Sequence, residues 1–297
     1  MNKLSTYLSS LIVSVLLVLG IIGVSGALIA DINITRENAT KLVENENITA
    51  KVHTELNSYY TDKYGSSGIP ASVYMNNIDD NYLEQCINIC ISSTFDSLEK
   101  GSVPDMPMPK NDALEKSITD FFTDYADKAG YEMDENFNNK LSTTVSNAYQ
   151  TIRSHSDVYK ASSLNEHKVL GILSKLYSKR NVLTAAAAVF TALLILVLVL
   201  INRKNKVTAM YWTGISSIIA GVFVTVPCCI LLSTRYYDSF SIKQPAVFAA
   251  YTSAMYKLTN AFTAVGIALV LAGILLCVVY TITYDKDKHQ DVKPTQV

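Results

Sequence analysis

Residues 182–201 read VLTAAAAVFTALLILVLVLI, an uninterrupted run without one charged side chain and with only Thr184 and Thr191 as polar members. An α-helix rises about 1.5 Å per residue, so a run of roughly 20 residues matches the hydrocarbon core of a bilayer, about 30 Å thick. Leu, Ile, Val and Phe near a helix centre each favour insertion by roughly 0.3 to 0.6 kcal/mol. A soluble core helix carries an apolar stripe, whereas this run is apolar all round. It is therefore read as a transmembrane helix.

Three further charge-free runs of the same kind lie at 4–30, 207–233 and 258–284. The first competes with a second reading, a cleaved signal peptide, because Ser25 and Ala27 stand where a processing enzyme accepts small residues. Its apolar stretch is longer than a signal core of about 7 to 15 residues. Gly20, Gly23 and Gly26 punctuate it as helix-contact glycines do. The expectation is an uncleaved signal anchor at 1–30, a helical domain at 31–181, and spans 2 to 4 within 182–284. Short loops are placed at 202–206 and 234–257, with a tail at 285–297. The fold class is all-α: four transmembrane helices with a bundle-like extracytoplasmic domain inserted between helices 1 and 2.

Sidedness follows from Lys and Arg in the short loops. One arrangement gathers Lys3, Arg203, Lys204, Lys206, Lys286, Lys288 and Lys293 on a single side, against Arg235, Lys243 and Lys257 on the other. That places both termini in the cytoplasm and residues 31–181 outside, in a multi-pass protein of the cell membrane. Lys175, Lys179 and Arg180, at the outer end of the second span, argue for the reverse topology. The 31–181 segment holds 22 acidic against 15 basic side chains. Such a balance disfavours nucleic acid or an anionic lipid surface as its general partner, since both reward clustered Lys and Arg.

Within that segment Gly65, Gly101 and Gly130 are predicted helix stops. Apolar residues recur at helical spacing at Leu83, Ile87, Cys90, Ile91, Phe95 and Leu98, at Leu114, Ile118, Phe121 and Tyr125, and at Phe137, Leu141, Val145, Tyr149 and Ile152. Leu42, Val52, Leu56 and Tyr59 repeat more weakly. Asp112 with Glu115 resembles a capping box, and Asp79–Asp80 suits a helix N-terminus. Residues 72–75 are expected to be a short extended element, and the Pro-rich 103–109 a loop. A last helix at 164–179 is expected to run into the second span, coupling domain and bilayer mechanically; the first domain helix would continue from span 1 unless Asp31, Asn33 and Thr35 break it. Pro227 should kink span 3, and the 234–257 loop, with Tyr236, Phe240, Val247, Phe248 and Tyr251, is expected to lie along the bilayer.

No stretch carries recognisable catalytic chemistry, so no catalytic, cofactor-binding or metal residue is assigned and no enzyme activity is expected. His53, His155, His167 and His289 are dispersed and fit no metal spacing. Ser97-Leu-Glu-Lys100 has the form of an acyl-transfer motif but lacks its companion motifs. Gly65-Ser-Ser-Gly68 lacks the lysine of a phosphate loop. Asp120, Asp124 and Asp127 share a helix face without the alternating ligands of a calcium loop. Cys86 and Cys90, one helical turn apart, read as buried free thiols, with a strained disulfide or an intermolecular pairing as alternatives. Asn33, Asn38 and Asn47 open glycosylation triplets, which matter only in a secretory setting. Pumps need ionisable side chains at membrane depth and these spans hold none centrally. Gly214 with Gly221, and Gly266 with Gly273, each seven apart, allow close helix approach.

The function expected from all this is a binding, sensing or scaffolding subunit working through the helical domain. Its partners are the lipid bilayer and another membrane protein or a second copy, with no nucleic acid and no cofactor. The alternative is a channel or transporter component formed by oligomerised spans. An alkaline carbonate wash checks the founding inference: the chain is expected in the pellet, and recovery in the supernatant refutes membrane integration.

Overall fold

The computed structural model describes residues 3–290, with side chains from 4 to 284. Lys293 lies outside the described residues, as do the side chains of Lys3, Lys286, Lys288 and His289. The described chain is helical throughout, without strands. In order, α1 is Lys3–Asn33, α2 Arg36–Asn45, α3 Ile48–Ser67, α4 Ala71–Met75, α5 Asp80–Lys100 and α6 Asp112–Ala129. Then come α7 Glu135–Ser156, α8 Ala161–Glu166, α9 Val169–Tyr177, α10 Arg180–Ile201, α11 Val207–Ser233 and α12 Pro245–Gln290, with a 3₁₀ turn at Tyr236–Ser239. Four helices are long and apolar enough to cross a membrane: α1, α10, α11 and the Pro245–Tyr284 part of α12.

The chain divides into two compact units. One consists of Thr35–Ser178 together with Phe240–Ala254. Its core is built on Ile48, Val52 and Leu56 of α3, Leu83 and Ile87 of α5, Leu114 and Ile118 of α6 and Ile152 of α7, all fully buried. Each such side chain contributes roughly 1.5 to 3 kcal/mol of transfer free energy, an upper figure because the unfolded chain already hides part of its surface. The stripes read from the sequence supply most of this core, but Tyr125, expected in the α6 stripe, is 59% exposed, and Phe137 of the α7 stripe stays outside the cluster. What the sequence did not announce is that Ala246, Ala249 and Ala250, at the start of α12, are buried in it. Of the 234–257 segment expected along the bilayer, Phe240–Ala254 belongs to this unit, and the chain is helical from Pro245. The small alanine side chains let the helix backbone approach closely, and their low hydrophobicity hid them from a search for apolar stripes. With four crossings, the segments after α1 and after α11 fall on the same side of the membrane, as their union in one unit requires.

Local chemistry explains the element ends. Asp79, Asn111 and Asp134 accept from the backbone N–H three residues on, capping α5, α6 and α7. The cap of α6 is therefore Asn111, one residue before the expected Asp112. Glu115 does not close the box; its carboxylate accepts instead from Tyr149 Oη at 2.8 Å. Asn111 Nδ2 also donates to Asn77 O, and Tyr149 Oη accepts from the Asn111 backbone N–H, so this one residue ties α6 to α7 and to the loop after α4. Gly101 and Gly130 end α5 and α6 at positive φ as expected, but α3 continues past Gly65 to Gly68, whose φ of 68° takes the cap. Residues 71–75 form a helical turn, not an extended piece, because Pro70 supplies a pre-set φ at the cap position and Tyr74 is drawn into the core against Tyr60, ring centroids 4.0 Å apart.

Expected continuities are broken. Thr35, extended at φ −130°, caps α2 and separates it from α1. The predicted 164–179 helix is two pieces, α8 and α9, divided at Lys168 with φ 60°, and α10 starts anew at Arg180. Asp157, 3% exposed, accepts from the amides of Ala161 and Ser162 and so starts α8. The Pro-rich loop is a loop, with Met106 buried beside Cys90 and Ala161.

The second unit takes in α1, α10, α11 and the remainder of α12. Leu17 and Ile21 of α1 pack on Leu194 and Leu198 of α10 and Trp212 of α11. Ser14 Oγ donates to Ser216 Oγ at 2.7 Å, and Ser216 Oγ donates to Trp212 O at 2.8 Å, while the buried hydroxyls of Thr184 and Thr225 have no hydrogen-bond partner. Asn202 Nδ2 donates to Ser10 Oγ and Leu198 O. Arg180 and Asp31 pair at 3.0 Å. α11 runs on through Pro227 as one helix. Gly214 lies against Gly273, and Gly221 against Gly266: a Cβ at Gly221 would stand 2.5 Å from Gly266 O and 2.9 Å from Val270 N. Those obstacles are backbone and have nowhere to go. Gly221→Val is expected to destabilise the α11–α12 pairing by roughly 1 to 3 kcal/mol, read as a lower unfolding temperature in mild detergent, whereas Gly23→Val, with nothing within 4 Å, is expected to change little.

Candidate functional site

A cleft of about 580 Å³ opens in the helical domain, lined by Lys51, Glu55 and Tyr59 of α3, His155 of α7 and residues 243–245 ahead of α12. The placement has a simple cause. Glu55 sits one turn along α3 from core residue Val52 and next to Leu56, half-buried at the edge of the apolar face. Its Oε1 accepts from the Ala246 N–H at 2.6 Å, a donor left unused by the first turn of α12. Its Oε2 is buried and has no hydrogen-bond partner. A buried acceptor without a donor costs about 1 to 3 kcal/mol. His155 Nδ1 donates to Thr151 O at 2.9 Å, and the ring edge packs on Tyr59 with centroids 5.5 Å apart. Lys51 Nζ donates to Glu46 O, and Asp62 and Lys243 complete a rim of both signs. Close by in sequence, burial holds the Lys160 ammonium below its usual range, with Asp157 and Glu55 opposing that effect.

The residues weighed from sequence fall elsewhere, His155 excepted. His53 is in α3 and His167 caps the end of α8. Ser97 is buried, but its Oγ donates to Ser93 O at 2.8 Å, and Lys100 reaches toward Asp96 at 4.0 Å. Neither group addresses the other. Asp120 and Asp124 are engaged by Lys116 and Lys128 at one-turn spacing. Among the described residues no group of three or more His, Cys, Asp or Glu side chains is arranged to hold a metal ion. Sequence reasoning missed Glu55, since an isolated Glu on a weak stripe carries no signal until α12 brings an amide to it.

Cys86 and Cys90 are free and buried. Burial pushes the Cys86 thiol up to about 11, while hydrogen bonding from Tyr82 opposes this, and burial likewise raises Cys90, with the Asp157 carboxylate adding to the effect. No protein-family model matches the chain, and neither the curated proteins nor the solved structures contain a match to it.

The thiols yield a pH prediction. Cys86 ionises near 9 when exposed and at about 11 when folded, so the fold binds its proton more tightly than the unfolded chain does. The stability it contributes is intact below pH 9 and is lost as pH rises through about 11. Both thiols are expected to resist maleimide at neutral pH until the domain unfolds. Cys86→Ala should flatten the alkaline fall in stability by roughly 2 kcal/mol at most, read from denaturation midpoints between pH 8 and 11.

Proposed function

We propose that this chain is a multi-pass membrane protein that serves as a binding, sensing or scaffolding subunit through its helical domain, held on the extracytoplasmic side of the cell membrane. It performs no chemistry of its own. The observation that carries this reading is a cleft of small-ligand size lined by Glu55, whose Oε2 is buried without a hydrogen-bond partner. Its free lone pairs call for a donor, so the ligand class is one bearing an amine or ammonium group, with Lys51 and Lys243 offering complementary contacts to an acidic part. The Lys and Arg bias of the short loops supports the sidedness. Lipid covers the exposed apolar faces of the spans, and another membrane protein or a second copy is the further partner.

The channel reading is the weaker one. Ser14, Ser216, Ser10 and Asn202, deep among the spans, are hydrogen-bonded to one another, and such pairing supports packing over a conducting path.

Titration of the detergent-solubilised protein with small primary amines and amino acids tests the ligand class. At 100 times its Kd a ligand stabilises by about 2.7 kcal/mol, so a saturable rise in unfolding temperature is expected for at least one amine. Glu55→Gln, which brings its own donor, is expected to abolish that rise while folding normally. An equal response in Glu55→Gln, or no response to any amine in the parent, rejects the site. Labelling of intact cells with an impermeant amine reagent tests the side: Lys51 and Lys243 are expected to react, and Lys204 and Lys206 to be spared.

A further inference from the structure

α9 has two apolar faces, and only one of them is used by the domain. Leu170, Ser174 and Tyr177 recur at helical spacing; Leu170 and Ser174 are buried, and the Tyr177 ring meets Phe95 of α5 edge-on at 6.0 Å. The other face carries Val169, Ile172, Leu173 and Leu176, also at the spacing of one helix side, and these are 38%, 62%, 41% and 57% exposed. Four large apolar side chains in contiguous exposure are a surface that water does not favour. The helix is held rigidly enough by its buried side for that exposure to persist.

Chain connectivity says what covers this face. Only Ser178 and Lys179 stand between α9 and α10, whose apolar run begins at Val182. Adjacent Cα atoms are 3.8 Å apart, so the end of α9 lies within roughly 10 Å of the start of a span. The headgroup zone on each side of the hydrocarbon is itself about 5 to 8 Å deep. Lys168, Lys175 and Lys179 flank the apolar face at both ends and on its side. Apolar residues on one side, lysines beside them and a span directly behind form the pattern of a helix lying in the plane of a membrane interface. This is a local exception to the acidic balance of the domain as a whole.

We propose that α9 is an interfacial helix that beds Val169, Ile172, Leu173 and Leu176 among the acyl chains of the adjacent leaflet and recruits anionic headgroups to Lys168, Lys175 and Lys179. The inference holds whichever leaflet that is, and it does not rest on the ligand site around Glu55. Each lysine close to an anionic membrane surface strengthens attachment to it roughly fivefold.

The chain has a single tryptophan, Trp212, which makes a clean reporter possible. In a Trp212→Phe background, Ile172→Trp and, separately, Leu176→Trp are reconstituted into liposomes of phosphatidylcholine and phosphatidylglycerol, with Ser142→Trp on exposed α7 as control. The expected result is a blue-shifted emission at 172 and 176 that loses intensity to lipids brominated on the acyl chain, with no loss at 142. Bromination confined to phosphatidylglycerol is expected to quench more than bromination confined to phosphatidylcholine at equal content, and Lys168→Gln/Lys175→Gln/Lys179→Gln to remove the difference. Water-like emission at both positions overturns the proposal, as does blue-shifted emission that lipid bromine leaves untouched, which would mean that protein covers the face. Equal quenching by the two brominated lipids in the parent overturns the anionic preference.

Discussion

Hydrocarbon offers no partner to a backbone N–H or C=O, and every other feature of this chain is arranged around that fact. The four apolar segments close their own hydrogen bonds as helices, and several of the polar side chains among them meet one another, as with Ser14 and Ser216 or Asn202 and Ser10. Association of the spans then has no hydrophobic drive of its own and depends on close contact. The glycines facing across α11 and α12 supply it, since only a residue without a Cβ permits a neighbouring carbonyl at that distance. The helical domain obeys the ordinary rule instead: Leu and Ile are gathered inward, and the starts of α5, α6 and α7 are closed by Asp79, Asn111 and Asp134.

How much of this was legible in the sequence depended on whether one residue type carried the signal alone. The spans were, because twenty apolar residues in a row have one physical meaning. So were α5, α6 and α7, whose Leu and Ile repeat at helical period, and the positive-φ glycines at 101 and 130. Positions decided by a choice between neighbours were not. Asn111 outcompeted Asp112 as a cap because its side chain also serves Asn77 and sits beside Tyr149, partners far away in sequence. The breaks at Lys160 and Lys168 place lysine at positive φ, a conformation without a local signature outside glycine and asparagine.

The candidate site was harder still. Glu55 and Ala246 are 191 positions apart, and neither belongs to a motif. His155 was noted only as one of four scattered histidines. What makes these residues a site is the closure of the domain by a segment that hydropathy assigned to a loop, and that closure is tertiary information. Conversely, Ser97 and Lys100, which match a pattern on paper, are each engaged by their own helix.

The helical domain draws its core from two stretches separated by two complete membrane crossings, Thr35–Ser178 and Phe240–Ala254. A ribosome delivers the chain from its N-terminus at about 5 to 20 residues per second. The first stretch is therefore made, and waits with the seat of Ala246, Ala249 and Ala250 vacant, while α10 and α11 are still being synthesised. Completion of the domain therefore depends on a late segment: until Phe240–Ala254 has been made, the ground that Ala246, Ala249 and Ala250 occupy is an open apolar groove.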